Sequence, residues 1–89
     1  MREVAWTDYL KYRAQLRGFD LDAIERVVRF SEERYLDTAT QRMVAVGRCQ
    51  EQLVMVPYEQ EGEIVTPVTI HPTTRQQISF RLRTGRFSL

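Results

Sequence analysis

Histidine, cysteine and lysine each occur once, as His71, Cys49 and Lys11, and each scarcity closes off a class of chemistry. A single cysteine forms no internal disulfide and builds no cysteine zinc site, so a reducing, cytoplasmic setting is expected. A single histidine excludes the His-Glu-x-x-His arrangement, and neither a glycine-rich phosphate loop nor a Gly-x-Ser-x-Gly elbow is present. Asp20 and Asp22 are close in sequence but serve a helix start, and most other acids fall in caps or one polar loop. No metal ligand set and no cofactor are therefore expected. The longest aliphatic or thioether run is Leu53-Val54-Met55-Val56, far short of the roughly 20 residues that span a bilayer. Met1 to Trp6 also lacks the apolar stretch and cleavage site of a secretory signal, so no membrane partner is expected.

What is present describes one globular domain, residues 1–89, with 43% hydrophobic and 28% charged residues. Its core is small, stabilised by about 3–5 kcal/mol, which leaves room for a homodimer or another partner covering apolar surface. The formal charge is only +1, but its placement is uneven. Residues 1–70 carry nine cations against twelve anions; residues 71–89 carry Arg75, Arg81, Arg83 and Arg86 with no acid. Bulk charge thus excludes a generally basic binder and points any anionic partner to the C-terminal fifth.

Local signals divide the chain into elements in the order β-α-α-β-β-β-β-α. Arg2 to Trp6 reads as a short strand. Thr7 is an N-cap, and Tyr9, Tyr12 and Leu16, with Leu10 and Ala14, recur at helical steps up to Arg17 and the C-cap Gly18. Asp20 caps a second helix, supported by a Phe19–Ile24 staple, with a buried stripe of Leu21, Ile24, Val27, Val28 and Phe30 or Ser31. Strands follow at Arg34 to Asp37, Arg42 to Arg48, Leu53 to Tyr58 and Ile64 to His71, with Glu59 to Glu63 as an acidic loop. Leu53 to Tyr58 is apolar on both faces, as a central strand is, and Pro67 argues for an edge or a bulge. Thr74-Arg75-Gln76-Gln77 has capping-box spacing, predicting a helix from Arg75 to about Thr84, closed by Gly85; Ile78 beside Phe80 also admits a strand. The expected fold is α+β: two N-terminal helices on a three- or four-stranded antiparallel meander, with a short C-terminal helix.

Two sets of residues have chemistry to offer. His71 is the one side chain whose unperturbed pKa allows proton transfer near neutrality, and it stands at a predicted strand end. The competing reading is a histidine bonded to nearby backbone. The arginines Arg42, Arg48, Arg75, Arg81, Arg83 and Arg86 form the second set, suited to phosphate by their planar, permanently charged forks. Tyr9, Tyr12, Tyr35 and Tyr58 add rings that stack on bases, so RNA is the anionic partner considered. Against it stands a chain whose arginines simply pair with its twelve acids. Cys49, Met43 and Met55 read as core residues.

Three stretches resemble the BrnT-like branch of the RelE-type toxin superfamily: Trp6-x-Asp8 before a helix, Arg17-Gly18-Phe19-Asp20-Leu21 leading to Ile24, and Val68-Thr69-Ile70-His71 with Thr74-Arg75. Arg17 stands where that family has a histidine, and His71 where its closing strand has an arginine. The resemblance implies a metal-independent endoribonuclease of a toxin–antitoxin pair, with RNA as substrate and a small antitoxin protein as partner. It would make His71 the base or acid, Arg75 and Arg48 the phosphate holders, and Tyr58 the residue that stacks on or positions the nucleotide. Arg17, Arg81, Arg83 and Arg86 would be further RNA contacts. The alternative is a non-catalytic member of the same fold that binds protein or nucleic acid, or dimerises.

Overall fold

Capping chemistry starts each helix of the computed structural model, which describes residues 3–89. Thr7 Oγ1 accepts from the Leu10 N–H at 3.0 Å, Asp20 Oδ1 from Asp22 at 3.2 Å, and Thr74 Oγ1 from Gln77 at 3.1 Å. These caps open α1 (Asp8–Arg17), α2 (Leu21–Phe30) and α3 (Arg75–Arg83). Only half of the expected capping box forms at α3, because the Gln77 side chain accepts from the Thr73 hydroxyl at 3.1 Å. Gly18, at φ 76°, ends α1 in the left-handed conformation that glycine adopts at least cost.

The strands are β1 (Glu3–Val4), β2 (Glu33–Asp37), β3 (Arg42–Cys49), β4 (Gln52–Glu61), β5 (Ile64–Pro67), β6 (His71–Pro72) and β7 (Phe87–Ser88). They form one mixed seven-stranded sheet in the order β1-β5-β4-β3-β2-β7, with β6 also on β4. The fold is therefore α+β, and the antiparallel meander β2-β3-β4-β5 is its centre. The sheet is wider than the expected three or four strands because short segments extend both sides. β1 adds parallel to β5, and β7 adds antiparallel to β2. Arg2, expected to open the first strand, lies outside the described residues.

Two expectations change in detail. The Glu59–Glu63 stretch is not a loop: Glu59, Gln60 and Glu61 pair with Thr66, Val65 and Ile64, and only the Gly62 turn leaves the ladder. Ile64 to His71 is not one strand but two, interrupted after Pro67. Pro67 has no N–H to give the ladder, and the chain bulges through Val68–Ile70 before β6 rejoins β4 at Met55.

Alternation along the strands sorts the core into two layers. Ala45, Cys49, Val54, Val56 and Tyr58 face α1 and α2, packing with Leu10, Ala14, Ile24 and Val28. Val44, Val46, Leu53 and Met55 face the other way, packing with Ile78 of α3 and Phe87. β4 is thus covered on both sides, and α3 lies on the opposite sheet face from α1 and α2. α2 sits close enough to β3 that a Cβ at Gly47 would lie 3.2 Å from Val27 Cγ1. α2 buries Ile24, Val27 and Val28 as expected, but Phe30 is 73% exposed. α1 buries only Leu10 and Ala14, leaving Tyr9, Tyr12 and Leu16 at 56%, 60% and 61% exposure. Of its two apolar stripes, the one with Leu10 and Ala14 joins the core cluster that includes Ala45, Val54 and Val56 of the sheet.

Candidate functional site

Cross-strand register builds the floor of a cleft on the α3 face of the sheet. Asp37 lies opposite Arg42, Val44 opposite Pro57, and Met55 opposite His71, all projecting to the same face. Gln77 and Arg81 of α3 form one wall, and Val68, Thr69 and Pro72 from the interrupted edge form the other. Thr40 and Arg86 close the rim, and the cleft encloses about 490 Å³.

Electrostatics divide the arginines around it. Arg86 forks onto Asp37, with Nε to Oδ1 at 2.6 Å and Nη2 to Oδ2 at 3.1 Å. That bond is the main reason the Asp37 carboxyl is held below its usual value, and the Ala39 and Thr40 amides add to it. Arg42 pairs with Glu59 across β3 and β4 at a longer 3.4 Å, in water. Arg81 makes no ion pair among the described residues and lies over the Phe87 ring, 5.4 Å from its centroid. Arg81 is thus the cleft cation most available to an anion.

His71 sits at the edge of this floor, half-buried. Burial pushes its imidazole below the ordinary value, and the charges of Arg13, Arg17 and Arg81 push the same way. It is therefore neutral at pH 7, with a ring nitrogen free to accept a proton. Thr69 Oγ1, also in the cleft lining, is buried without a hydrogen-bond partner among the described residues.

The remaining candidates separate. Arg75 leaves the cleft and binds Glu33 through Nη1 at 2.7 Å, and Arg83 lies on the same outer side of α3. Arg48, at the far end of β3, donates to the Glu51 carbonyl at 3.0 Å in the hairpin turn. Tyr58 faces the helices rather than the cleft. It is 5% exposed, its hydroxyl accepts from Arg34 at 3.1 Å, and the Arg34 guanidinium lies over its ring. A ring so enclosed has no face on which a base can stack. Arg34 itself ties the end of α2 by donating to the Val28 and Ser31 carbonyls. Cys49 is fully buried, which raises its thiol pKa and keeps it unreactive.

The structure therefore brings together His71, Arg81 and Arg86 in the cleft lining, and leaves Arg17, Arg48, Tyr58, Arg75 and Arg83 outside it. Asp37, Thr69 and Gln77 also line the cleft; the sequence marked Gln77 only as a capping residue and gave none of the three a site role, because their meeting depends on how β2, the edge at β6 and α3 come together. Among the described residues, no three His, Cys, Asp or Glu side chains gather to hold a metal ion, and no helix is long and apolar enough to cross a membrane. No protein family, curated protein or solved structure matches this chain.

Proposed function

We propose that this protein binds RNA in the α3-face cleft and cleaves it as a metal-independent endoribonuclease of the RelE/BrnT-like toxin kind. The observation that carries the reading is a neutral histidine beside an unpaired arginine in one cleft. In the reaction, His71 accepts the proton of a ribose 2′-hydroxyl as its oxygen bonds to the adjacent phosphorus. The bond from phosphorus to the 5′-oxygen breaks, and that oxygen takes a proton from solvent. The products carry a 2′,3′-cyclic phosphate and a 5′-hydroxyl. Arg81, with Arg42, stabilises the charge that builds on the phosphorane oxygens, since Asp37 already occupies Arg86. A small antitoxin protein would hold such an activity in check in the cell.

A second reading is RNA binding without cleavage. It is favoured by the absence, among the described cleft residues, of a second side chain that titrates near neutrality to act as acid. One experiment separates the two. RNA incubated with the protein in EDTA should yield cyclic-phosphate ends, and His71→Ala should abolish them while retaining RNA affinity. Cleavage that persists in His71→Ala overturns the catalytic assignment, and binding without any cleavage selects the second reading.

A further inference from the structure

Among the described residues β6, which lines the cleft with His71 and Pro72, pairs with β4 alone. Ile70, the residue before His71, is buried in the same cluster as Leu10 and Ala14 of α1. With about 3.6 residues per turn, the surface of α1 can be read outward from that buried line. Arg17 and Arg13 come first, then Tyr9 and Leu16, then Tyr12, facing fully away from the sheet. Neither Arg13 nor Arg17 makes an ion pair among the described residues. Arg13 Nε is also buried with no acceptor among the described residues, as is Thr69 Oγ1 in the cleft lining.

We infer, resting on the reading of the cleft as an RNA site, that the RNA strand continues over the edge at β6 onto α1, where Arg13 and Arg17 hold its phosphates and Tyr9 and Tyr12 stack its bases. Cations flanked by exposed planar rings are what single-stranded nucleic acid needs, because every base offers a π-face and every linkage a charge. Ile70 is buried with Leu10 and Ala14 of α1 while its neighbour His71 lines the cleft, so the strip and the cleft meet at this edge rather than forming separate patches. Two unpaired arginines beside the rings match a polyanion in a way an ordinary apolar docking face does not. The inference extends the site across the sheet edge, from the α3 face to the surface of α1.

The test is fluorescence anisotropy with a labelled single-stranded decanucleotide RNA, comparing the parent protein with Tyr12→Ala, Arg17→Ala and, for the cleft, Arg81→Ala. Tyr12 and Arg17 are exposed, so thermal melts should match the parent. Tyr12→Ala should weaken binding by roughly fivefold or more, and Arg17→Ala should lower the slope of log K against log salt by about 0.7. If Arg81→Ala weakens binding but neither α1 variant does, the path is wrong, the cleft reading stands, and the rings are left to a protein partner. If the parent protein binds no RNA, or Arg81→Ala has no effect, the cleft reading falls and the path falls with it.

Discussion

Replacing Arg86 by methionine should destabilise the protein by about 1–3 kcal/mol, through a carboxylate left behind rather than through the cation removed. Asp37 has a side chain only 8% exposed, whereas Arg86 is 42% exposed. Stripping a fully buried ion of its partner costs about 3–5 kcal/mol, and two features bring the figure down here. The Asp37 Oδ1 atom keeps the Ala39 amide at 2.9 Å and the Thr40 amide at 3.4 Å, and water can reach the side that Arg86 leaves. In a domain of this size each kcal/mol lowers the melting midpoint by about 4–8 °C. The acid limb carries the diagnostic sign. Asp37 has its folded pKa held below the ordinary 3.8, so its ionised form contributes stability that is present above that value. That stability is lost as pH falls through the folded value. Arg86→Met should therefore shrink the pH dependence of unfolding on the acid side, besides lowering the midpoint at pH 7. Urea unfolding from pH 7 down to acid, repeated in an Asp37→Asn background, measures both effects. If Arg86→Met costs as much with asparagine at 37 as with aspartate, the ion pair is not the source and the reasoning fails.

Four further outcomes follow from the geometry. Gly47→Ala should destabilise by about 1–3 kcal/mol, because the new methyl meets a β-branched Val27 that has little room to turn, and Val27→Ala should relieve it in a double-mutant cycle. Ile78→Ala removes the one buried side chain of α3 and should cost about 2–5 kcal/mol, with proteolysis opening first within Arg75–Arg83. Glu51→Gly should raise stability, by about 0.5–1 kcal/mol, because residue 51 sits at φ 72° in the β3–β4 turn, where a non-glycine residue is strained; a lower urea midpoint would refute it. His71, with its pKa lowered by burial and three arginines, should leave stability intact above the ordinary 6.5 and let it fall as pH drops from there through the folded value. His71→Gln should flatten that decline, and a cleavage profile whose acid limb lay at or above 6.5 would contradict the assignment.

What was legible in the sequence is what depends on near neighbours. Thr7, Asp20 and Thr74 cap helices by reaching two or three residues ahead, and Gly18 ends a helix by its own conformation, so each could be read from a few letters. The two-sided apolar pattern of Leu53 to Tyr58 likewise announced a covered central strand. α1 shows where periodicity runs out. Tyr9, Tyr12 and Leu16 make a longer stripe than Leu10 and Ala14, yet the shorter one is buried, in a cluster with Ile24, Val54 and Ile70 that local periodicity does not specify.

Charge was the least legible property, for a physical reason. The four C-terminal arginines look unopposed along the chain, yet Arg75 finds Glu33 from 42 residues away and Arg86 finds Asp37 from 49. Both acids belong to β2, whose register against β3 and β7 no local pattern specifies. Once that register is set, a run of four like charges becomes two ion pairs and two cations without acid partners among the described residues, with Arg81 turned to the cleft and Arg83 away from it. The same β2–β3 register puts Asp37 beside Arg42, and the separate β4–β6 register puts Met55 beside His71, so the cleft exists only at the level of the assembled sheet. The RNA binding proposed for it then rests on Arg81 and on the edge at β6 rather than on the basic tail as a whole. A variant set that neutralises Arg75 and Arg83 together should accordingly leave RNA affinity at moderate salt close to the parent's, while Arg81→Ala alone lowers it. The reverse ranking would return the site to the outer face of α3.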